Sequence, residues 1–367
     1  MNFKVNSKQL QNALNICVGA IGNANILPIL ENFLFVIEDG NLQITATDNN
    51  TTIKKTVELD SIEVEGSVCV PAKLMTDWLK TLPEQTITFA AENNAIKLEC
   101  FSGKYEMASE DAADFPQDNI EGFELVEVDG LIEKIQTTLF CLSNDELRPA
   151  MTGVYLEANG ASVSLCATDA HKLAVQTTDS ALSNEGVVLN GATCKMLKLL
   201  GGEVSFGVND SHFTFQSGDT KIVGRLIDQR YPDYRSVIPN YEDGGSTKFT
   251  IEKNSLQNAL KRLSGFSNQT TNQVIFNFNN DKLKLEAQDL DFQKGGTETV
   301  DVEGEGKITI AFNSKFFLDV LSNLKTDKLQ IELSTSKRAA LVREVKDNEA
   351  VIGGLFLLMP VALPNGE

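Results

Sequence analysis

The chain has 367 residues, 42% of them hydrophobic, and its 51 acidic against 32 basic residues give a formal charge of −19. That length calls for two or three packed cores, and an evenly acidic surface would repel nucleic acid and anionic membranes, so neither is expected to be gripped from outside. The opening MNFKVNSKQL lacks a basic start followed by an apolar run, and no stretch approaches the roughly 18 apolar residues of a membrane span, so the protein is read as cytoplasmic with no membrane partner.

In chain order the first helix pattern is SKQLQNALNIC at 7–17. A hairpin signal follows at Gly40 in EDGN, then a strand ending in ITATDNN with Asp48, the pair Glu65-Gly66, a second helix in PAKLMTDWLKTL and a closing strand in IKLECF. The order then begins again. DGLIEKIQTTLF has helical apolar spacing, ANGA marks a hairpin at Gly160, LCATDAH carries Asp169, Glu185-Gly186 recurs, and GATCKMLKLL and FTFQS follow. A third pass opens with KNSLQNALKRLS, which shares the pentapeptide LQNAL with the first. It continues through NNDK at Asn280, LEAQDLD with Asp289, Glu305-Gly306 and SKFFLDVLSNL. The hairpin residues are ones that tolerate positive φ, as tight hairpin turns demand.

The three aspartates lie 121 and then 120 residues apart, and the other markers keep the same period. The chain is therefore a threefold repeat of an α+β unit. Polar, turn-rich segments, DAADFPQDNIEGF and IPNYEDGGSTKF, separate the copies, with Phe123 and Phe249 restarting the pattern of Phe3. Domains are placed at 1–121, 122–246 and 247–367.

Little in the sequence supports catalysis. The residues after the repeated aspartate share nothing (DNNT, DAHK, DLDF), and no nucleophile elbow accompanies His171. No phosphate-cradling glycine motif occurs, and VGAIGNAN has the wrong spacing for one. The aspartate itself reads as a turn cap that accepts backbone N–H groups. Cys17, Cys69, Cys100, Cys141, Cys166 and Cys194 stand singly in apolar stretches without CxxC, as small buried hydrophobes do, and only His171 and His212 are available as imidazole ligands. Neither a metal nor a cofactor is expected.

Charge is segregated along the chain. The six predicted helices hold ten basic and four acidic residues, +6 in all, which leaves −25 on the rest. Lys8, Lys73, Lys80, Lys195, Lys198, Lys261 and Arg262 are among the basic ones. A single lysine of this kind is an ordinary solvated helix residue. Together they describe a positive helical face on a negative body, which attracts phosphates without reading bases.

ILPIL at 26–30, ATDAHKLAV at 167–175, RLIDQRYPDYRSVIP at 225–239 and the terminal FLLMPVAL resemble the bacterial DNA polymerase III β subunit, the replicative sliding clamp, along the whole chain. The resemblance implies three tandem DNA-clamp domains, each with two helices on an inner face and antiparallel sheets outside. It also implies a homodimer closed head to tail into a ring around duplex DNA, bound without regard to sequence and without catalysis. Arg148 matches a contact near the hole and joins the DNA-facing set. Partners, namely the DNA polymerase III catalytic subunit, the clamp loader, other polymerases and repair proteins, would insert short peptides between the second and third domains. The implied pocket comprises Met151, Thr168, Ala170, His171, Lys172, Leu173, Pro232, Val237, Leu357, Leu358, Met359, Pro360 and Val361, with His171 and Lys172 as polar contacts. Ala170 stands where the family often has Gly, and Ser236 and Ala362 where Arg is common. The implied dimer junction pairs an edge strand holding Lys104, Tyr105 and Met107 with the region around Phe266 and Glu298 of the other chain. The alternative reading is a non-catalytic peptide-binding scaffold of the same fold that does not load on DNA.

Overall fold

The computed structural model describes residues 1–22, 27–116, 120–180, 182, 186–241 and 245–363. Ile26 of the ILPIL motif, Glu185 of the second Glu-Gly pair, parts of both inter-repeat segments and the terminal PNGE lie outside the described residues. The chain forms two compact units, one of residues 1–132 with 189–228, the other of residues 133–188 with 229–367.

Among the described residues six α-helices stand where the apolar spacing predicts them: α1 (Ser7–Cys17), α2 (Ala72–Lys80), α3 (Leu131–Thr138), α4 (Gly191–Met196), α5 (Lys253–Ser264) and α6 (Ser314–Asn323). Their starts are set by local chemistry. Asn6, Asn190 and Asn313 each precede a helix and accept two of its first free N–H groups on Oδ1, which offsets about 1 kcal/mol per cap. α3 and α4 are shorter than their apolar patterns and tighten into 3-10 turns at Leu139–Cys141 and Leu197–Leu199. The second repeat opens on the short strand Val126–Glu127 rather than at Phe123.

In the first unit a five-stranded sheet holds Asn2–Asn6 in its interior and ends at Gly103–Ala108. An eight-stranded sheet runs beside it in sequence, and α1 and α2 pack on one another. Phe3, Phe33, Phe35 and Phe89 are fully buried, with the Phe3 and Phe89 rings stacked 4.8 Å apart. The first hairpin turns through Asp39 and Gly40, both at positive φ, as a type I′ turn requires.

In the second unit α5 and α6 pack together over a core that includes Phe249, Phe276, Phe278, Phe312 and Phe317. The Phe249 and Phe278 rings stack at 4.3 Å.

The sheets ignore the repeat boundaries. In the first unit the strand leaving the Asp48 turn, Thr51–Glu58, pairs antiparallel with the closing strand of the second repeat, Thr220–Arg225. In the second unit the strand leaving the Asp169 turn, Lys172–Asp179, pairs with the closing strand of the third repeat, Gly354–Leu358. Strand edges left open by one repeat are thus filled by the next. The equivalent strand of the third repeat, Lys294–Glu303, meets Thr247–Glu252 only at Val302 and Glu303 on its second edge.

Candidate binding site at the Asp169 turn

The ATDAHK segment is a tight turn between Ser162–Thr168 and Lys172–Asp179, held by its own side chains. Asp169 Oδ1 accepts the N–H groups of His171 (2.9 Å) and Lys172 (2.8 Å), while Thr168 Oγ1 accepts from Ala170 N (3.1 Å) and donates to the Lys172 carbonyl (2.9 Å). The repeated aspartate is a turn cap here and again at Asp48, which accepts from Asn50 and Thr51. It is not one in the third repeat. Asp289 is fully buried, neither carboxylate oxygen has a hydrogen-bond partner, and Lys294 Nζ lies 3.5 Å away. The cause is a loop two residues longer: the ladder continues through Asp289 and Lys294, so the turn N–H groups no longer fold back onto the carboxylate.

Ala170 holds φ +75, so a residue with a side chain occupies a conformation that suits glycine. The turn is anchored to the C-terminal segment by Met359 N donating to the His171 carbonyl at 2.9 Å. Around it, Ala170, His171, Pro232, Val237 and Met359 are exposed, Val237 at 56% and Met359 at 43%, and Pro360 and Val361 are half-buried. These are the expected pocket residues that lie at the surface of the chain.

The others are deeper than a rim. Lys172, expected to offer its charge to a peptide, is only 7% exposed. Its ammonium lies 2.9 Å from Asp169 Oδ2, 4.0 Å from Asp319 Oδ2 on α6 and 4.6 Å from the Phe316 ring centroid, so its charge is already satisfied inside the protein. Asp319 has its carboxyl pushed above the usual range by burial and by Asp169, with Lys172 opposing. Met151 and Thr168 are buried, and Leu173, Leu357 and Leu358 are core side chains at the foot of the turn. Their strands have neighbours on both sides. The His171 ring faces Phe316 at 6.0 Å, a contact the sequence did not signal.

All eight basic residues assigned to DNA are exposed. Lys8 and Lys73 lie on α1 and α2, Lys195 on α4, Lys198 in the 3-10 turn after it, and Lys261 on α5. Lys8, Lys73, Lys195, Lys198 and Lys261 enter none of the ion pairs among the described residues, Lys8 donating instead to Gln11 Oε1 at 2.9 Å. Three others are paired: Lys80 with Asp77, Arg148 with Asp145, and Arg262 with Glu298 through two hydrogen bonds. Arg262 and Glu298, expected at different surfaces, are therefore one bidentate pair. Of the expected junction residues, Tyr105 is exposed on the Gly103–Ala108 edge strand and rests edge-on against Trp78, Lys104 pairs with Glu99, Met107 points into the core, and Phe266 is exposed after α5.

Models of the DNA polymerase III beta subunit match nearly the whole chain: the N-terminal domain over residues 1–120, the central domain over 125–233 and the C-terminal domain over 235–355. The beta sliding clamp of Synechocystis is 30% identical over 406 residues and covers all of both chains. The chain belongs to the DNA polymerase III beta subunit family. The Vibrio cholerae beta sliding clamp is 29% identical across 99% of this chain and all of that one. Among solved structures, the Pseudomonas aeruginosa sliding clamp bound to griselimycin superposes with a TM-score of 0.92 at 26% identity, covering 99% of this chain and all of that one. The Thermotoga maritima beta subunit gives 0.90 at 25%, covering 99% of each. The family is one of non-catalytic polymerase accessory subunits. Among the described residues no helix is long and apolar enough to cross a membrane.

Proposed function

We propose that the chain is a DNA sliding clamp. Two copies close head to tail around duplex DNA, which is held by enclosure and not by sequence, and they tether the DNA polymerase III catalytic subunit, the clamp loader, other polymerases and repair proteins through short peptides. The observation that carries this reading is membership of the beta subunit family over three consecutive domains and the full length of the chain.

Physical features support its parts. Enclosure needs weak attraction, because tight phosphate contacts would stop sliding; on a chain of charge −19, Lys8, Lys73, Lys195 and Lys261 on the helices and Lys198 in the turn after α4, none of them in an ion pair among the described residues, fit that need. Tethering replaces affinity by effective concentration, so a polymerase held by one peptide stays near the template. For the peptide, the exposed apolar surface of Val237 and Met359, with half-buried Pro360, beside the Asp169 turn offers a place where an anchor side chain gains roughly 1.5–3 kcal/mol on burial. For the ring, each chain has one open edge at Gly103–Ala108 and another along Lys294–Glu303, and two heterologous contacts of this kind close with twofold symmetry. The three domains assigned to 1–121, 122–246 and 247–367 are the units of this arrangement.

Primer extension on a long single-stranded template, with the cognate polymerase and loader, tests the function. Product length should rise severalfold when the chain is added, and Met359→Ala should reduce the rise. Unchanged product length with intact peptide binding favours the scaffold reading.

A further inference from the structure

The first unit repeats the scaffold of the Asp169 site and gives it a different surface. Its turn at Asp48 is built in the same way: Asp48 Oδ1 accepts from Asn50 N at 2.9 Å and Thr51 N at 2.7 Å, and Thr47 Oγ1 accepts from Asn49 N at 3.1 Å. Asn49 stands at φ +70 where Ala170 stands at φ +75. The closing strand docks on both turns alike, Arg225 N donating to the Asn50 carbonyl at 2.8 Å as Met359 N donates to that of His171 at 2.9 Å. The segment after each repeat follows suit. Pro116 comes after buried Phe115 as Pro232 comes after buried Tyr231. Phe115 shares a core cluster with Leu34, Tyr231 stacks on Tyr155 at 4.9 Å, and the ladders counted from the two aspartates make Leu34 and Tyr155 equivalent.

The side chains on that scaffold differ in kind. By register, Thr52, Lys54, Lys221, Val223 and Arg225 take the places of Leu173, Val175, Leu355, Leu357 and Met359. Five apolar side chains are thus replaced by a hydroxyl, a valine and three cations. Lys54 and Lys221 are direct cross-strand partners, an opposition of like charges that costs stability. Burial, and then the Lys54 charge, push the Lys221 ammonium below its usual range, with Glu121 opposing. None of the three cations enters an ion pair among the described residues, whereas the neighbouring Lys55 is paired with Asp219. Beside Lys54 the sheet surface sinks into a recess of about 290 Å³ walled by Leu34, Val36, Thr45, Thr52 and Pro116, with the exposed Glu38 at its rim. In the second unit the equivalent surface is filled: Tyr155 takes the place of Leu34 under Tyr231 and Tyr234, and Glu157 takes the place of Val36 and pairs with Arg235.

We propose that the recess and its cations form a second peptide site, in the first unit, for a short acidic segment of a partner protein. An apolar side chain of the segment enters the recess over Leu34, Val36 and Pro116, and carboxylates beside it bind Lys54, Lys221 and Arg225 through charge-assisted hydrogen bonds. The site is separate from the one at the Asp169 turn and rests on that reading only for the likeness of form. A peptide suits it better than nucleic acid. Three cations on a body of charge −19 are too few to hold a polyanion, while two or three carboxylates match them, and the apolar wall offers nothing to a phosphate backbone. Apolar on one turn and cationic on the other, the two sites select different peptides, so one chain can hold two partners at once.

Selection of a phage-displayed library of random hexapeptides on the full chain tests this. Two sets of peptides are expected: one weakened by Met359→Ala, and a second, rich in Asp and Glu beside Leu or Phe, that Met359→Ala leaves unchanged. In calorimetry a synthetic member of the second set should bind Lys54→Gln and Arg225→Gln each about tenfold more weakly than wild type. Lys54→Gln should melt no lower than wild type, because it removes a like-charge opposition. Should it nevertheless fail to fold, Arg225→Gln on its exposed side chain decides. A library that yields no acidic set, or an acidic set indifferent to Lys54→Gln and Arg225→Gln, overturns the site. Short duplex DNA that binds through Lys54 and Arg225 where no acidic peptide does also overturns it, by making the patch a DNA contact. If the acidic set appears and depends on Lys54 while no peptide depends on Met359, the Asp169 reading fails and this site stands.

Discussion

Replacing Lys172 by Met removes a positive charge from between two carboxylates while keeping a side chain of similar length. The lysine is almost completely enclosed, with Asp169 at 2.9 Å, Asp319 at 4.0 Å and the Phe316 ring beneath it. Breaking a buried pair by deleting one partner leaves the other uncompensated, at about 3–5 kcal/mol. Asp319 is half-exposed on its side chain and relaxes toward water, and the Asp169 turn keeps its two backbone hydrogen bonds, so the lower end, about 3 kcal/mol, applies here. The chain has two units, and a global melting curve would mix them. Hydrogen exchange of the peptide spanning 165–179 reads the second unit locally, and at that cost its protection should fall about a hundredfold. Lys172→Met/Asp169→Asn should regain part of the loss, because Asn retains the acceptor that caps the turn. Protection unchanged within a factor of two in Lys172→Met would show that the pair contributes no more than an exposed one, and would refute the argument.

Three further outcomes follow from local geometry. Ala170→Gly relieves a left-handed conformation that costs an L-residue about 1–2 kcal/mol but adds chain entropy to the unfolded state, so a net gain of about 0.5 kcal/mol is expected by denaturant titration. Met359→Ala should weaken an anchor-bearing peptide by roughly tenfold in calorimetry with no change in melting temperature, since Met359 is exposed where Leu358 is core. The third concerns acid. Burial pushes the Asp219 carboxyl up, but its hydrogen bond and charge interaction with Lys55 outweigh this and hold it below its usual 3.8. A lowered folded pKa stabilises the protein above the unfolded value, and that contribution is lost as pH falls through the folded one. Melting curves of wild type and Asp219→Asn, read by Trp78 fluorescence, should therefore differ near pH 6 and converge only once the pH has fallen through the lowered folded pKa, below the usual 3.8.

The helices were legible because each rests on a local signal, apolar spacing of 3.6, and the repeat was legible because aspartates mark it. Pairing across repeats was not. Which strand fills the edge of Thr51–Glu58 depends on Thr220–Arg225, far along the chain, and no local period encodes that choice. The site divided in the same way. His171, Val237 and Met359 stand exposed, but nothing near Lys172 in sequence announces that Asp319 and Phe316 will enclose its charge. The third aspartate misled because two extra loop residues, invisible in the ATD pattern, turn a cap into a buried ion pair.

The central claim is topological: the protein holds DNA by surrounding it. The direct measurement is to load the chain on nicked circular DNA, raise the salt to 0.5 M to remove electrostatic contacts, and then cut the circle once. The account predicts retention on the intact circle at high salt and loss within seconds of linearisation. Release from the circle by salt alone, or retention after the cut, would contradict it.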